Sequence, residues 1–564
     1  MQIQIIKVMK EIDVYCKNNQ QKKSYSPGTS LLDVANDQQV TLKSQVVAAY
    51  VNNELKGLSY EIYTPITVDF IDISNPDGMR IYQRTLTFLL QKAVKDILPD
   101  HNLLVEHSVS KGLYFEVTNG GTELTMTQIN KLEQHMQKLV NDDIPFIKKK
   151  IPTEEAITLF EANGYSEKVL LLKTRPRFYT SVYFLDGYAD HYYGPLLPST
   201  GFLKIFGLFG YYKGLLLMFP RIDKPNKLEN IVVQNKMLEI FQEHKEWNRI
   251  LGAHSVGRIN DAMEQGKFGE LIKVNEALHE KKYAAIADTI SQRKDVKIIL
   301  IAGPSSSGKT TTAKRIAVQL KVAGRNPIII SLDNYFVNRE LTPKDETGEY
   351  DFESIHALDL ELLNTQLNDL LEGKTVLIPK FCFHKGERYY DDEYLTVNEK
   401  DILIIEGIHA LNPELTEYID NKCKFKIYAS ALTSIALDNN NRIPTTDNRL
   451  IRRIVRDSHS RSYSALDTIR RWQSVRRGEN KSVFPYQENA DMMFNSSLVY
   501  EFSVLRVLVE PLLIKIPPTE PEYAEAVRLL KFISYFTPAD LDDIAQIPPT
   551  SVLREFIGFS SFSY

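Results

Sequence analysis

The segment Val296–Thr312, with the sequence VKIILIAGPSSSGKTTT, constrains the fold of this chain more than any other stretch. The aliphatic run Ile298–Ile301 predicts a buried strand, and the residues from Thr311 to Leu320 have the apolar spacing of a helix. Between them, Gly303–Thr310 fits G-x-x-x-x-G-K-[ST] at every fixed position. Free N–H groups at the start of such a helix attract phosphate oxygens. The segment therefore predicts a binding site for a nucleoside triphosphate.

The residue types in this loop suggest a role for each position. Backbone N–H groups would cradle the phosphates, Lys309 would reach the β- and γ-phosphates, and the Thr310 hydroxyl would ligate Mg²⁺. ATP and Mg²⁺ are the expected cofactors. ATP is expected rather than GTP because the sequence contains no guanine-specific N-K-x-D motif. The predicted nucleotide-binding residues of the loop are Gly303, Pro304, Ser305, Ser306, Ser307, Gly308, Lys309, Thr310 and Thr311.

Two acidic residues directly follow apolar runs that predict further strands. Asp333 follows Pro327–Leu332, and Glu406 follows Asp401–Ile405. Strands that alternate with helices predict a doubly wound parallel sheet, with ligands at the carboxyl ends of its strands. An acid in this position is often only a helix N-cap. Two of them beside a phosphate-binding loop favour a functional role, because phosphoryl transfer needs a metal ligand and a group that orients the attacking hydroxyl.

The composition excludes several other classes of protein. At 564 residues the chain is expected to form two to four domains, and its net charge of -4 gives no overall attraction to nucleic acid. Its 3 cysteines lie far apart, which argues against disulfides or a cysteine zinc site and favours a reducing cytoplasm. The most apolar stretch, Gly201–Phe219, contains Lys204 and Lys213, so no membrane span is predicted.

A dense basic segment follows the predicted sheet. Arg449, Arg452, Arg453 and Arg456 recur at helical spacing, and Arg461 follows them. A solvated helix or a nucleic-acid contact would explain such a face. After a phosphate-binding core, arginines on a mobile helix are also typical of a lid that closes over phosphates.

Six sequence blocks together resemble uridine kinases and their phosphoribulokinase relatives. They are Gly303–Thr311, Asp333–Phe336, Tyr350–Phe352, Pro379–Arg388, Ile405–Gly407 and Asp447–Asp457. The resemblance implies that Asp333 is the catalytic base and that Glu406 lies near Mg²⁺. It also implies that Arg449, Arg452 and Arg461 face the phosphates. The predicted catalytic set is then Lys309, Asp333, Arg449 and Arg452, with Arg461 as a further nucleotide contact and Thr310 and Glu406 at the metal.

The predicted acceptor site departs from the family pattern. Its residues are Asp351, implied as a ligand of a ribose hydroxyl, together with Phe381, Phe383 and Arg388. Uridine kinases typically read P-x-Y-D-F-x-x-H-x-R in this block, whereas this chain has Phe381, Cys382 and Gly386 where tyrosine, aspartate and histidine are expected. Losing hydrogen-bonding groups puts the recognition of a pyrimidine base in doubt.

The first half of the chain resembles modules of tRNA synthetases. Gly28–Ala35 and Ala49–Leu55 resemble the TGS domain, a small β-grasp module. Asp77–Tyr82 and Asp190–Gly201 resemble the second additional domain of threonyl- and alanyl-tRNA synthetases, which hydrolyses mischarged tRNA. That family uses two histidines, a cysteine and a third histidine as zinc ligands, and the aligned positions here hold Arg84, Phe88, Tyr192 and Leu196. None of these side chains ligates zinc, so we expect neither zinc nor ester hydrolysis here.

The sequence thus predicts an α/β multidomain protein. The expected units are a TGS-like domain (1–73), a synthetase-editing-like domain (75–225), a helical connector (226–290), a kinase-like domain (291–516) and a helical tail (517–564). The expected activity is ATP-dependent phosphorylation of a hydroxyl on a small acceptor of the nucleoside type. The alternatives are an RNA-associated NTPase or regulator that uses the first half of the chain, and a kinase for a sugar phosphate or vitamin precursor. We expect a small-molecule partner and no membrane, and we leave RNA contact and homo-oligomerisation open.

Overall fold

The computed structural model describes residues 11–118, 123–344, 348, 350–382 and 384–564. The apolar run Ile3–Val8 predicts a strand, but it lies outside the described residues. The predicted acceptor residue Phe383 lies outside them as well.

The first unit is a mixed five-stranded sheet with one helix packed on it. Its elements are β1 (Ile12–Cys16), β2 (Gln21–Tyr25), α1 (Leu31–Asp37), β3 (Ala48–Val51), β4 (Glu54–Gly57) and β5 (Ile66–Ile71). The strand order is β2-β1-β5-β3-β4, with β1 and β5 parallel. Strand β1 buries every second side chain, so one face of the sheet meets α1. The predicted helix over Ser30–Asn36 is confirmed, with Ser30 as its N-cap.

The second unit packs a long helix against two antiparallel sheets. Its elements are α2 (Pro76–Ile97), β6 (Asn102–Val109), β7 (Gly112–Thr118), α3 (Met126–Asn141), β8 (Ile147–Pro152), α4 (Thr153–Ala162), α5 (Ser166–Lys173), β9 (Tyr179–Leu185), β10 (Tyr188–His191), β11 (Gly207–Tyr211) and β12 (Gly214–Met218). The sheet orders are β10-β9-β8 and β11-β12-β7-β6. The apolar period over Gln83–Leu90 predicts that the long helix begins at Gln83, and this prediction is wrong. The helix begins at Pro76, because Asn75 caps it and proline fits the first helical turn.

Three helices then lead to a parallel sheet. They are α6 (Asn235–Ile250), α7 (Val256–Glu264) and α8 (Phe268–Gln292). The elements that follow are β13 (Ile298–Ala302), α9 (Lys309–Val322), β14 (Asn326–Ser331), α10 (Leu360–Leu371), β15 (Val376–Leu377), β16 (Lys380–Cys382), β17 (Glu387–Tyr389), β18 (Tyr394–Leu395), β19 (Asp401–Glu406), β20 (Lys424–Ser430), β21 (Ala436–Asp438), β22 (Asn441–Arg442), α11 (Thr445–Ser460), α12 (Ala465–Ser482), β23 (Met492–Asn495) and α13 (Glu501–Ile514).

The parallel sheet has the order β14-β19-β13-β20-β23, and every neighbouring pair is parallel. Strands β13 and β19 are buried at every position, since helices cover both faces of the sheet. The carboxyl ends of β13, β14 and β19 therefore meet at one edge, where Gly303, Asp333 and Glu406 lie. This confirms the predicted doubly wound sheet.

The last helices are α14 (Tyr523–Ile533), α15 (Leu541–Ala545) and α16 (Arg554–Ile557). They do not form a separate tail, because one hydrophobic core joins them to α7, α8, α11, α12 and α13. Phe532 and Phe536 of this region pack on Phe502, with ring centroids 5.3 and 4.8 Å away. Among the described residues, no helix combines the length and apolarity needed to cross a bilayer.

A buried polar junction joins the synthetase-like unit to the hairpin β21–β22. Asn440 donates to Asp190 at 2.7 Å, and Asn441 donates to the His191 carbonyl at 2.9 Å. Lys168, only 2% exposed, pairs with Asp190. The motif residues Asp190 and His191 thus serve as contacts between units, and the hairpin they hold leads directly into α11.

Candidate active site

The phosphate-binding loop, Gly303–Thr310, connects β13 to α9 as predicted. Gly308 adopts a left-handed conformation with φ of 79°, which favours glycine. At Gly303 a Cβ would collide with the carbonyl oxygen of Ala429 on the neighbouring strand. The two glycines are therefore required by backbone geometry and close packing. The Lys309 ammonium lies over this loop, 3.2 Å from the Pro304 carbonyl oxygen.

The end of β19 contributes a buried carboxylate beside this loop. Glu406 is 6% exposed, and its Oε1 accepts hydrogen bonds from Thr310 at 3.3 Å and from Ser331 at 3.1 Å. Burial raises the pKa of Glu406 to about 7, and the positive charge of Lys309 opposes this effect. No lysine or arginine of the described residues forms a salt bridge with Glu406 within 4.0 Å, the limit for such a contact. A buried carboxylate without a cation favours binding of one.

These oxygen donors fit Mg²⁺. Magnesium is usually held by one or two carboxylates together with substrate phosphates and waters, rather than by a complete protein cage. Accordingly, the described part of the chain contains no group of three or more His, Cys, Asp or Glu side chains arranged around a metal position. Thr310 and Glu406 would hold the ion, and Ser331 orients Glu406; the sequence analysis did not single out Ser331.

Two further carboxylates, Asp333 and Glu353, lie in the cleft next to the phosphate-binding loop. Asp333 follows β14, and desolvation by the surrounding protein raises its pKa although the side chain is open to the cleft. Lys309, Arg461 and Arg456 oppose that rise, which places all three cations near Asp333. The pKa of Glu353 is raised to about 7, first by burial and then by Glu479. Sequence analysis missed Glu353, although it follows directly after the block Tyr350–Phe352.

Lid helices α11 and α12 hold the phosphate-binding loop through one residue, Ser305. Arg449 donates to its carbonyl oxygen at 3.0 Å, and Arg453 donates to its hydroxyl at 2.8 Å. Its backbone N–H donates to Glu479 at 2.9 Å. The lid is thus docked on the loop in this structure. Arg453 and Glu479 were not among the predicted site residues, because nothing in the local sequence indicates which face of each helix meets the loop.

Arg449 and Arg452 are placed differently from the expectation that both face phosphates. Arg452 is 0% exposed and pairs with Glu501 at 2.6 Å, so its guanidinium belongs to the core beneath the lid. Arg449 is 1% exposed and pairs with Glu479 while touching Ser305. Buried arginines need buried carboxylates, and these partners lie 30 and 49 residues away. Arg461, by contrast, keeps 50% of its side chain exposed at the cleft.

The predicted acceptor residues do not all meet in one place. Phe381 packs against Phe336, with ring centroids 5.6 Å apart, and Phe336 also contacts Phe352 at 6.4 Å. Arg388 instead pairs with Asp359 at 2.8 Å and donates to two backbone carbonyls, so it supports the wall from behind. Asp351 lies 4.0 Å from Lys481. The wall of the cleft is therefore aromatic, with Glu353 and Asp333 as its acidic groups.

The synthetase-like unit brings together the four positions that align with zinc ligands. Phe88 packs on Tyr192 with ring centroids 5.5 Å apart, and Leu196 is 5% exposed. Arg84 donates to the Pro195 carbonyl at 2.8 Å, and its guanidinium lies 5.2 Å from the Tyr193 ring. His107 and His191 are buried, as expected of core residues, and burial lowers the pKa of His107 to about 3 and of His191 to about 4. Three of the four positions thus hold buried apolar or aromatic side chains, and the fourth holds the arginine.

Comparison with known proteins matches two parts of the chain to two different kinds of protein. Residues 298–501 match the family model described as "Phosphoribulokinase / Uridine kinase family", so this segment is a P-loop kinase domain of that family.

The first half of the chain is similar to part of the threonine–tRNA ligases. The enzyme of Syntrophomonas wolfei is 27% identical over 194 residues, which is 34% of this chain and 30% of the relative. That of Clostridioides difficile is 26% identical over 246 residues, 43% of this chain and 37% of the relative. The chain therefore spans about a third of the length of these ligases.

Solved structures similar to this chain include a putative fructose transport system kinase from Silicibacter sp. TM1040. It is 16% identical in sequence, the match covers 38% of this chain and 98% of the chain of that kinase, and the TM-score is 0.29. A possible uridine kinase from Bacillus stearothermophilus is 19% identical in sequence. The match covers 36% of this chain and 89% of the chain of that protein, with a TM-score of 0.24.

Proposed function

We propose that this protein transfers the γ-phosphoryl group of ATP to a hydroxyl of a small, nucleoside-type acceptor. The observation that carries the proposal is the meeting of Lys309, Asp333 and the Glu406–Thr310 pair at the carboxyl edge of one parallel sheet. Phosphoryl transfer has a loose transition state, so it depends on positioning and charge rather than on covalent chemistry. A cation for the phosphates, a metal ligand and an acid for the acceptor hydroxyl are the groups it requires.

Each group has one role in this proposal. Lys309 and the exposed Arg461 stabilise charge on the transferred phosphoryl group. Asp333 accepts or orients the acceptor hydroxyl, because it lies on the open side of the cleft next to the cations. Glu406 and Thr310 would hold Mg²⁺, which would neutralise negative charge on the phosphates.

The cleft favours a nucleoside-type acceptor over a phosphorylated sugar. Phe336, Phe352 and Phe381 offer apolar ring surface for a planar group. Glu353 and Asp333 would accept hydrogen bonds from sugar hydroxyls but would repel an additional phosphate. Arg388, which donates to the Phe336 carbonyl, is already paired with Asp359.

An RNA-associated NTPase is a second candidate, favoured by one surface of the synthetase-like unit. Lys148, Lys149 and Lys150 of the edge strand β8 lie over the rings of Tyr183, Phe184 and Tyr179, at 5.2 to 5.7 Å. Phe178 beside them is 92% exposed. Cations interleaved with aromatic rings are typical of surfaces that bind single-stranded nucleic acid.

An ADP-release assay on the full chain tests the proposal. The protein with Mg²⁺ and ATP would be offered a panel of nucleosides, phosphorylated sugars and, separately, tRNA. Nucleoside-dependent ADP release that is lost in Lys309→Ala and kept in Lys321→Ala supports the kinase, since Lys321 is exposed in the last turn of the same helix. ADP release that depends on tRNA alone would replace it with the second candidate.

A further inference from the structure

The 549–564 segment contacts the start of the P-loop helix α9, more than 200 residues away in sequence. The Glu555 carboxylate accepts the Thr311 hydroxyl at 2.5 Å and lies 3.4 Å from the Thr311 backbone nitrogen. The Tyr564 hydroxyl lies 2.9 Å from the same Thr311 oxygen. Val552 lies against Gly308, where a Cβ would collide with its Cγ2. The segment therefore forms part of the wall around the phosphate-binding loop.

Thr311 offers the donors that a phosphate needs. It is the third residue of α9, so its N–H lacks an intrahelical partner. The N-cap residue, Gly308, has no side chain, and Glu555 supplies a carboxylate in its place. Negative charge at this end of the helix is favoured by the helix dipole, whether it comes from a carboxylate or from a phosphate. Glu555 and a bound nucleotide would therefore use the same donors.

The charge of Glu555 also reaches the metal position. Burial is the main cause of the raised pKa of Glu406, and the negative charges of Asp333 and Glu555 contribute to it. A triphosphate in the loop would bring further negative charge next to Glu555. The contact seen here and an occupied nucleotide site therefore oppose each other.

The segment is anchored in the core through its apolar side chains, whereas the Glu555 carboxylate is held through hydrogen bonds to Thr311. Val552, Leu553 and Phe556 are at most 1% exposed, and the Phe556 ring lies 4.9 Å from the Arg452 guanidinium. Beyond them Gly558 has φ of 86°, and Phe559 is 89% exposed. The backbone up to residue 557 is thus part of the core, whereas the Glu555 side chain is only partly buried.

We propose that Glu555 is an autoinhibitory latch, which holds the phosphate-binding end of α9 until a nucleotide displaces its carboxylate. This inference rests on the nucleotide site of the proposed function. A carboxylate that merely caps α9 would change the stability of the fold when it is removed and leave nucleotide affinity unchanged.

Nucleotide affinity separates the two roles. The full chain and Glu555→Gln, which keeps the shape and a hydrogen-bond acceptor, would be titrated with a non-hydrolysable ATP analogue and Mg²⁺ by calorimetry. The latch predicts that Kd falls about tenfold in Glu555→Gln, because one like charge is removed beside the phosphates. Asp542→Asn is the matched control, since Asp542 is exposed in the same region, and it should leave Kd unchanged. Glu555→Ala, with no acceptor at all, should bind at least as tightly as Glu555→Gln.

Each other outcome overturns the latch. Equal Kd values for wild type and both Glu555 variants would leave only a capping role and would not affect the proposed kinase function. Weaker binding by the variants would make Glu555 a group that supports the nucleotide or its metal. Absence of binding in all of these proteins, with folding confirmed by thermal melting, would remove the proposed function together with the latch.

Discussion

The Glu479 carboxylate accepts the backbone N–H of Ser305 at 2.9 Å, which joins lid helix α12 directly to the phosphate-binding loop. Glu479 also pairs with Arg449 and with Arg476, at 2.7 and 3.0 Å. Glu479 and Arg449 are 0% and 1% exposed, so water does not screen their charges. Glu479 therefore helps to position the loop, together with Arg449 and Arg453 of α11.

Replacing Glu479 by Gln should lower the free energy of unfolding by about 3 kcal/mol, because it leaves the Arg449 charge buried without a counter-charge. Urea unfolding measures this loss. Glu522→Gln is the control, since Glu522 pairs with the half-exposed Arg470 at 3.0 Å and should cost less than about 1 kcal/mol. If both variants lost the same free energy of unfolding, the buried Glu479–Arg449 pair would contribute no more to stability than an exposed pair.

Replacing Asp333 by Asn should lower kcat about 10²-fold or more while nucleotide affinity stays unchanged, because the carboxylate acts on the acceptor hydroxyl. Steady-state kinetics and calorimetric titration with the ATP analogue measure the two effects. Glu340→Gln, an exposed change on the same connection, should affect neither. A collapse of nucleotide binding in Asp333→Asn would instead make Asp333 chiefly a metal ligand.

The contribution of Glu406 to the free energy of unfolding should fall as the pH rises from about 4.5 to about 7, whereas buried histidines such as His107 and His191, whose pKa values are lowered, act in the opposite direction. Burial raises the pKa of Glu406 to about 7, above its ordinary value of 4.5. Across that range the folded protein binds a proton that the unfolded chain has released, and stability then decreases with pH. Glu353, whose pKa is also raised to about 7, acts in the same direction.

Glu406→Gln should therefore remove this contribution and change the slope of the free energy of unfolding against pH. Urea unfolding at several pH values within the range measures the slope. Glu417→Gln serves as the control, because Glu417 is exposed. An identical slope in wild type, Glu406→Gln and Glu417→Gln would show that Glu406 does not carry the proton.

Uridine and cytidine should be poor acceptors. Phe381, Cys382 and Gly386 provide no strong polar contact for a pyrimidine edge, and Gly386 is closely packed against Arg339. Kinetics of ADP release with each nucleoside tests this expectation, and the double change Phe381→Tyr and Cys382→Asp should improve uridine use. Efficient wild-type turnover of uridine, at kcat/KM of about 10⁴ M⁻¹s⁻¹ or above, would show that another group recognises the base.

The synthetase-like unit should neither hold zinc nor deacylate mischarged tRNA. The positions that would supply ligands hold Arg84, Phe88, Tyr192 and Leu196, and Phe88 and Tyr192 pack on each other. Metal analysis of the purified full chain and a deacylation assay measure the two properties. One equivalent of tightly bound zinc, or hydrolysis that is lost on changing Arg84 or Tyr192, would contradict this prediction.

Local patterns predicted the elements that have strong local causes. The apolar spacing of Leu358–Leu371 and of Ala524–Ser534 predicts two helices. The first begins at Leu360 because Asp359 caps it, and the second lies at Tyr523–Ile533. The start of α2 was misplaced by seven residues, since Asn75 and Pro76 begin that helix before its apolar period becomes regular. Signals for a helix start act over three or four residues, which is why they can be read from sequence when they are recognised.

The order of strands and helices along the chain was also sufficient to predict that the phosphate-binding loop, Asp333 and Glu406 lie at one edge of the sheet. A parallel sheet brings the carboxyl ends of its strands to one edge, so a residue that follows a buried strand is placed by topology alone. Arg452 and Arg461 could not be told apart in this way, because both follow Asp447 in one basic segment. Arg452 meets Glu501 in the core and Arg461 faces the cleft, and those partners are chosen by how α11 packs. The Glu555–Thr311 contact joins residues 244 positions apart. Burial and charge pairing act between side chains that meet only in the folded chain, so the tertiary structure alone decided which charges surround the nucleotide site.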